Sequence, residues 1–168
     1  MGYRTDFSGN LQIFDKNGKR TELDDETANL IIKLSKTRRM KRDSKKLADR
    51  LGISHEDCVR LYGDEGEFYF HEDGDMGQTH MDDIVNYNSP PSTQPGLWCD
   101  WTYNPQDNAI EWNGSEKTYD SEEWINYISK ILYPRGYSLN GSIYYEGEEF
   151  GDVGVIKING SPTVNIIA

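Results

Sequence analysis

An α+β fold is predicted for this 168-residue chain by three observations: the alternating strand patterns at its two ends, two amphipathic helical stretches, and a turn-bounded strand pair between those helices. When residues 44–96 are set aside, the order reads strand, helix, strand, strand, helix, strand, with an added C-terminal strand. That order predicts a ferredoxin-like split βαβ core, its helices covering one side of an antiparallel sheet. The expectation is one domain over 1–168 with an inserted helical and loop segment at about 44–96.

The opening YRTDFSGNLQIF is rich in aromatic and β-branched residues. It reads as a strand with Tyr3, Thr5 and Phe7 on one face and a break at Gly9. Asn17-Gly18 supplies the following turn. A helix is expected from about Asp24, where Asp24, Asp25 and Glu26 suit the positive end and Ile31 and Leu34 begin an inward stripe. Its last turns are expected to carry Arg38, Arg39, Lys41 and Arg42, cations suited to a helix C-terminus.

Residues 44–62 predict two short helices parted at Gly52, with Leu47, Ala48 and Leu51 at helical spacing and Ser54 placed to cap toward Asp57. The pair is locally similar to a helix-turn-helix but lacks a clear third core helix, so DNA reading is not expected. Residues 63–96 are rich in Gly, Asp, Pro, Ser and Asn, with a strand candidate at Phe68-Tyr69-Phe70 and an apolar pair at Ile84-Val85. Pro90, Pro91 and Pro95 stiffen the approach to Leu97.

Three of the four tryptophans fall between Tyr87 and Trp112. Period-two alternation from Leu97 puts Cys99, Trp101 and Tyr103 on one face and Trp98, Asp100 and Thr102 on the other. NPQDN then turns the chain into a returning strand at Ala109–Trp112. The next helix is the clearest: Asp120 and Glu123 form a capping pair, Trp124, Tyr127, Ile128, Ile131 and Leu132 form a stripe, and Pro134 and Gly136 end it. Leu139, Gly141, Ile143 and Tyr145 alternate, Val153 to Ile158 returns after a glutamate-rich loop, and Val164 and Ile166 suggest one more strand.

The net charge of -11 is unevenly spread. Residues 1–30 hold 4 basic and 6 acidic side chains, 31–60 hold 10 and 4, and 61–168 hold 4 and 19. This field disfavours nonspecific nucleic-acid binding while leaving one basic segment able to attract phosphate or an acidic partner. Two cysteines give no disulfide scaffold, and no apolar run is long enough to span a bilayer. A cytoplasmic protein without membrane attachment is the expectation.

Several motifs occur in order: Arg38-Arg39-Met40-Lys41-Arg42-Asp43, Met76-Gly77-Gln78, Tyr87-Asn88-Ser89-Pro90-Pro91, Gln94-Pro95-Gly96-Leu97-Trp98-Cys99-Asp100-Trp101, Glu111-Trp112 and Gly136-Tyr137-Ser138-Leu139-Asn140-Gly141. Through these the chain resembles a family of small uncharacterised bacterial and phage-encoded proteins. The resemblance implies one integrated domain that includes the insertion, and it brings no activity with it. A phage–host interaction is the setting it suggests.

The candidate binding site combines Arg38, Arg39, Arg42, Asn88, Gln94, Trp98 and Trp101. Arginines clamp carboxylate or phosphate, amides select polar edges, and an indole stacks. The same residues equally suit a helix end and a hairpin core. His71, Asp73, Asp75 and His80 match neither a zinc helix nor a calcium loop, so no metal is expected. Cys58 lacks an activating partner, Cys99 alternates onto the Leu97 and Trp101 face as a buried thiol, Glu111 and Glu116 make no defined acid-base pair, and no cofactor motif is present. The sequence therefore points to a noncatalytic protein-binding or inhibitory protein. A binder of a small acidic ligand or nucleotide, using the arginine-aromatic pocket, is the alternative.

Overall fold

Strand β1 (Thr5–Phe14) is the spine of a six-stranded sheet, pairing along its whole length with β6 (Ser138–Gly147) and on its other edge with β5 (Ala109–Trp112). The computed structural model describes residues 3–70 and 80–160 and the backbone of 165–167. The chain divides into two compact units, Met1–Ser35 with Asp100–Ala168, and Lys36–Cys99. Among the described residues no helix is long and apolar enough to cross a membrane.

In the first unit the strand order is β4-β5-β1-β6-β7-β8, with β4 at Trp101–Asn104, β7 at Val153–Asn159 and β8 at Asn165–Ile167. Each of these neighbouring pairs is antiparallel. Register places Leu11 opposite Ile110, Ile13 opposite Leu139 and Ile143 opposite Ile156, so one face of the sheet is a continuous apolar layer. All six side chains are buried, each worth about 1.5–3 kcal/mol.

The break expected at Gly9 does not occur. Its φ of +92° lets the strand run on past a point where a Cβ would lie 2.5 Å from the Ser142 carbonyl oxygen. Glycine here permits close approach of β1 and β6 rather than ending β1.

Helix α1 (Asp25–Lys36) is capped by Asp24, whose carboxylate accepts from the Thr27 N–H at 2.8 Å and the Thr27 hydroxyl at 3.0 Å. A second helix of this unit spans Ser121–Leu132. Tyr137, just beyond it, donates to Asp24 at 2.8 Å, while Ser35 at the far end of α1 bonds Thr102 and Trp101 donates to the Ser121 carbonyl. Those contacts at opposite ends make the two helices antiparallel. Asp120 adopts φ 54° and makes no side-chain cap bond, contrary to the expected capping box. The buried stripe is Trp124, Ile125, Ile128, Ser129 and Leu132, with Tyr127 and Ile131 at its partly buried margins.

In the Lys36–Cys99 unit the basic run is extended chain, not a helix end. Lys41–Arg42 forms β2, paired with β3 (Ile84–Asn86). Backbone N–H groups of Arg39, Lys41, Arg42 and Asp43 donate in turn to the carbonyls of Leu97, Ser89, Glu65 and Asp83, at 2.7–3.0 Å. This segment thus ties four separate stretches of the unit together. Helices α2 (Ser44–Leu51) and α3 (His55–Tyr62) follow, so that the Ser121–Leu132 helix is α4.

Asp43 caps α2 through the N–H groups of Lys45 and Lys46, Gly52 closes it at φ 71°, and Ser54 caps α3 through the Asp57 N–H at 3.0 Å. Leu47, Ala48, Cys58 and Tyr69 make the small core between them. Phe68-Tyr69-Phe70 forms no strand; Tyr69 packs into that core instead.

Candidate functional site

Arg39 is the most deeply set of the sequence-predicted site residues. With 1% exposure, its guanidinium donates to Gln94 Oε1 at 3.3 Å, to the Tyr69 and Gly66 carbonyls at 3.3 and 3.4 Å, and to the Glu67 carbonyl. It also lies 4.8 Å over the Phe70 ring. Gln94, itself buried, donates to the Glu67 carbonyl at 2.9 Å. A turn of backbone carbonyls at 66–69 is thereby satisfied from two sides by one guanidinium and one amide.

Arg42 is equally enclosed. It meets Asp83 at 2.6 Å and stacks 4.7 Å over the Tyr69 ring, whose other neighbour is Arg50 at 5.2 Å. Arg50 binds the second oxygen of Asp83 at 2.7 Å. Burial alone would raise the Asp83 pKa, but the hydrogen bonds from Arg50 and Arg42 outweigh it and hold the carboxyl below the usual carboxylate range.

Arg38 is the partly exposed member. It donates to the Tyr87 carbonyl at 3.1 Å and to Asn88 Oδ1 at 3.3 Å, which fixes the polar stretch before Pro90. Trp98 is partly buried and precedes β4, so strand alternation does not govern it. Trp101 belongs to the sheet unit, where it is fully buried. Its indole N–H donates to the Ser121 carbonyl at 2.9 Å and its ring meets Phe7 edge-on at 5.1 Å. Trp112 pairs with Trp101 across the hairpin and contacts Phe7 at 5.5 Å. Phe7 is thus the hub of an aromatic layer.

The structure brings Arg38 to Asn88 and Arg39 to Gln94, in contacts that organise the Lys36–Cys99 unit itself. Among the described residues no group of three or more His, Cys, Asp or Glu side chains is placed to hold a metal ion; His71, Asp73 and Asp75 lie outside the described residues. Cys58 and Cys99 are both buried, and burial raises the Cys58 thiol, which weakens it as a nucleophile.

A different surface is left open. On the β1, β6 and β7 strands the face opposite the apolar layer exposes Asp6, Ser8, Tyr144, Glu146 and Val153. Register sets Ser8, Tyr144 and Val155 in one row across the three strands, and Asp6, Glu146 and Val153 in the next. Twist makes this area a shallow depression of about 620 Å³.

Tyr144 is 56% exposed, Val153 51%, and Phe150, in the turn between β6 and β7, is completely exposed. These three residues escaped the sequence-based site. The signal was there: Tyr144 breaks the polar outward pattern next to inward Ile143, and Phe150 stands alone in the acidic loop EGEEFGD. No family model, curated protein or solved structure matches this chain.

Proposed function

We propose that this protein is a noncatalytic protein-binding or inhibitory protein that meets a protein partner through the open β1–β6–β7 face. The observation that carries the reading is the exposed pair Tyr144 and Val153 on that face, with fully exposed Phe150 in the turn of the same hairpin. Large exposed apolar side chains grouped on one face with a polar rim mark a protein contact. The phage–host setting rests on the motif resemblance alone. The arginine-aromatic ligand pocket has less to stand on, since Arg39 and Arg42 direct their donors at Tyr69, Gly66, Glu67 and Asp83.

A ferredoxin-like core accompanies this proposal. What supports it is the run β4-β5-β1-β6, antiparallel throughout, with α1 connecting onward from β1 and α4 lying between β5 and β6 in the chain. In that frame β7 and β8 widen the sheet beyond β6 and enlarge the open face.

A photo-crosslinking amino acid placed at Tyr144 in the full chain, expressed in the host cell, tests the reading. A discrete protein adduct is expected, with the corresponding Tyr144→Ser/Val153→Ser variant binding that protein at least about tenfold more weakly. Undiminished binding by a folded variant, or the absence of any discrete adduct, would count against the open face.

A further inference from the structure

The turn that carries Phe150 is held in shape from a distant part of the chain. Within it, the Gly147 N–H donates to the Asp152 carbonyl at 2.8 Å, the Asp152 N–H to the Glu149 carbonyl at 3.1 Å, and the Val153 N–H to the Gly151 carbonyl at 3.0 Å. Gly151, at φ +86°, supplies the left-handed conformation the turn requires. The residues before β1 then clamp it. The Tyr3 hydroxyl donates to Asp152 Oδ2 and accepts from the Glu149 N–H at 3.1 Å, while the Arg4 N–H donates to Glu148 Oε1 at 2.6 Å.

Phe150 projects from this clamped turn with 107% exposure, whereas Phe7, Phe14, Phe68 and Phe70 are each partly buried. A large apolar ring on an ordered support loses little conformational freedom on docking, the property shared by anchor residues at interface centres. Its surroundings are predominantly acidic, and the cation Arg4 is paired to Asp6 at 3.1 Å. Glu146, Glu148, Glu149 and Asp152 flank it in sequence, Asp6 lies opposite Glu146 in the ladder, and Lys157 is the sole basic residue from Ser138 to Gly160.

We infer, on the footing of the open-face reading above, that the partner is a basic protein surface whose lysines and arginines surround an apolar socket for Phe150. The acidic rim steers such a surface into register and repels phosphate-bearing polymers, while the ring supplies the buried anchor. Tyr144 and Val153 extend the apolar contact along the hairpin.

A random peptide library selected on the immobilised full chain, followed by ¹⁵N amide shift mapping with the enriched peptides, tests this. Enrichment of sequences that combine Lys or Arg with a large apolar residue is expected, with shifts centred on 148–152 and 144. Phe150→Ala should weaken them at least about tenfold. Glu149→Lys and Glu146→Lys should each weaken them too, and added NaCl should do the same. Because Phe150 is fully exposed, loss of binding by that variant is not a folding effect.

Peptides that shift Tyr144 and Val153 yet carry no basic residues, or ignore the charge reversals, would overturn the basic partner and leave the open face standing. Peptides that shift neither region, or no enrichment at all, would remove both.

Discussion

Arg42 and Asp83 meet at 2.6 Å with 3% and 1% of their side chains exposed, and Arg50 closes on the other oxygen of the same carboxylate. Two cations on one buried anion suit a structural anchor: β2, β3 and α2 each contribute a residue or a flank, and Tyr69 fills the space between the guanidiniums. A positive sequence cluster is in this way turned inward.

Removing the carboxylate leaves a buried guanidinium without its counter-ion. Asp83→Ala is expected to destabilise the Lys36–Cys99 unit by about 3–5 kcal/mol, read from urea unfolding. The double change Arg42→Met/Asp83→Leu should recover part of that loss, because a buried pair replaced by apolar groups no longer carries the desolvation cost.

Acid acts through the same residue. Asp83 has a folded pKa below its unfolded value, so its contribution is fully present above the unfolded carboxylate range and is lost as pH falls through the folded value. Asp24 and Glu65 shift in the same direction, through hydrogen bonds from Thr27 and Ser92 respectively. Asp100 is opposite: burial raises it, so its ionisation weakens the fold as pH rises above the normal carboxylate range. Asp100→Asn should therefore stabilise the protein at neutral pH, whereas Asp83→Asn should destabilise it there and flatten the acid limb, both followed by thermal melts across pH.

Gly9 and Gly18 both have positive φ, but their surroundings differ. A Cβ at Gly9 would lie 2.5 Å from the Ser142 carbonyl oxygen, whereas nothing lies within 4 Å of one at Gly18. Gly18→Ala is expected to cost about 1 kcal/mol from backbone conformation alone. Gly9→Ala should cost clearly more and spread the β1–β6 ladder, visible as faster amide exchange at Asn10 and Ser142.

Phe150→Ala should leave the unfolding free energy within about 0.5 kcal/mol of the parent, because the side chain is fully exposed. Trp101→Ala, by contrast, should cost about 3–5 kcal/mol through the cavity it opens beside Phe7. Chemical denaturation of the two variants side by side separates contact chemistry from architecture within one aromatic-rich chain.

Local patterns were legible wherever the chain's neighbours in sequence are also its neighbours in space. Leu139, Ile143, Ile156 and Ile158 alternate as a half-buried strand pair must, and the Gly52 and Ser54 signals mark the ends of α2 and α3. The α+β class and the order of the elements in the sheet unit follow from such periods. In sequence, Arg38 to Arg42 satisfy a helix C-terminus and an extended chain equally well; only carbonyls from Glu65, Asp83, Ser89 and Leu97, far away along the chain, select the extended form. Trp98 reads as a strand residue for a similar reason, since the alternating pattern extends N-terminally beyond Trp101, where pairing begins.

The α+β class, the order of strands and helices in the sheet unit, the helix starts near Asp24 and Ser54, and the strongly acidic C-terminal two-thirds can be read from the amino-acid sequence alone. The tertiary structure decided which polar groups are consumed internally and which face water. Arg39 and Arg42 disappear into carbonyls and a carboxylate, while Phe150, an apolar residue, is held out in solvent. Burial is set by long-range packing, and a residue's own chemistry fixes only what that burial costs.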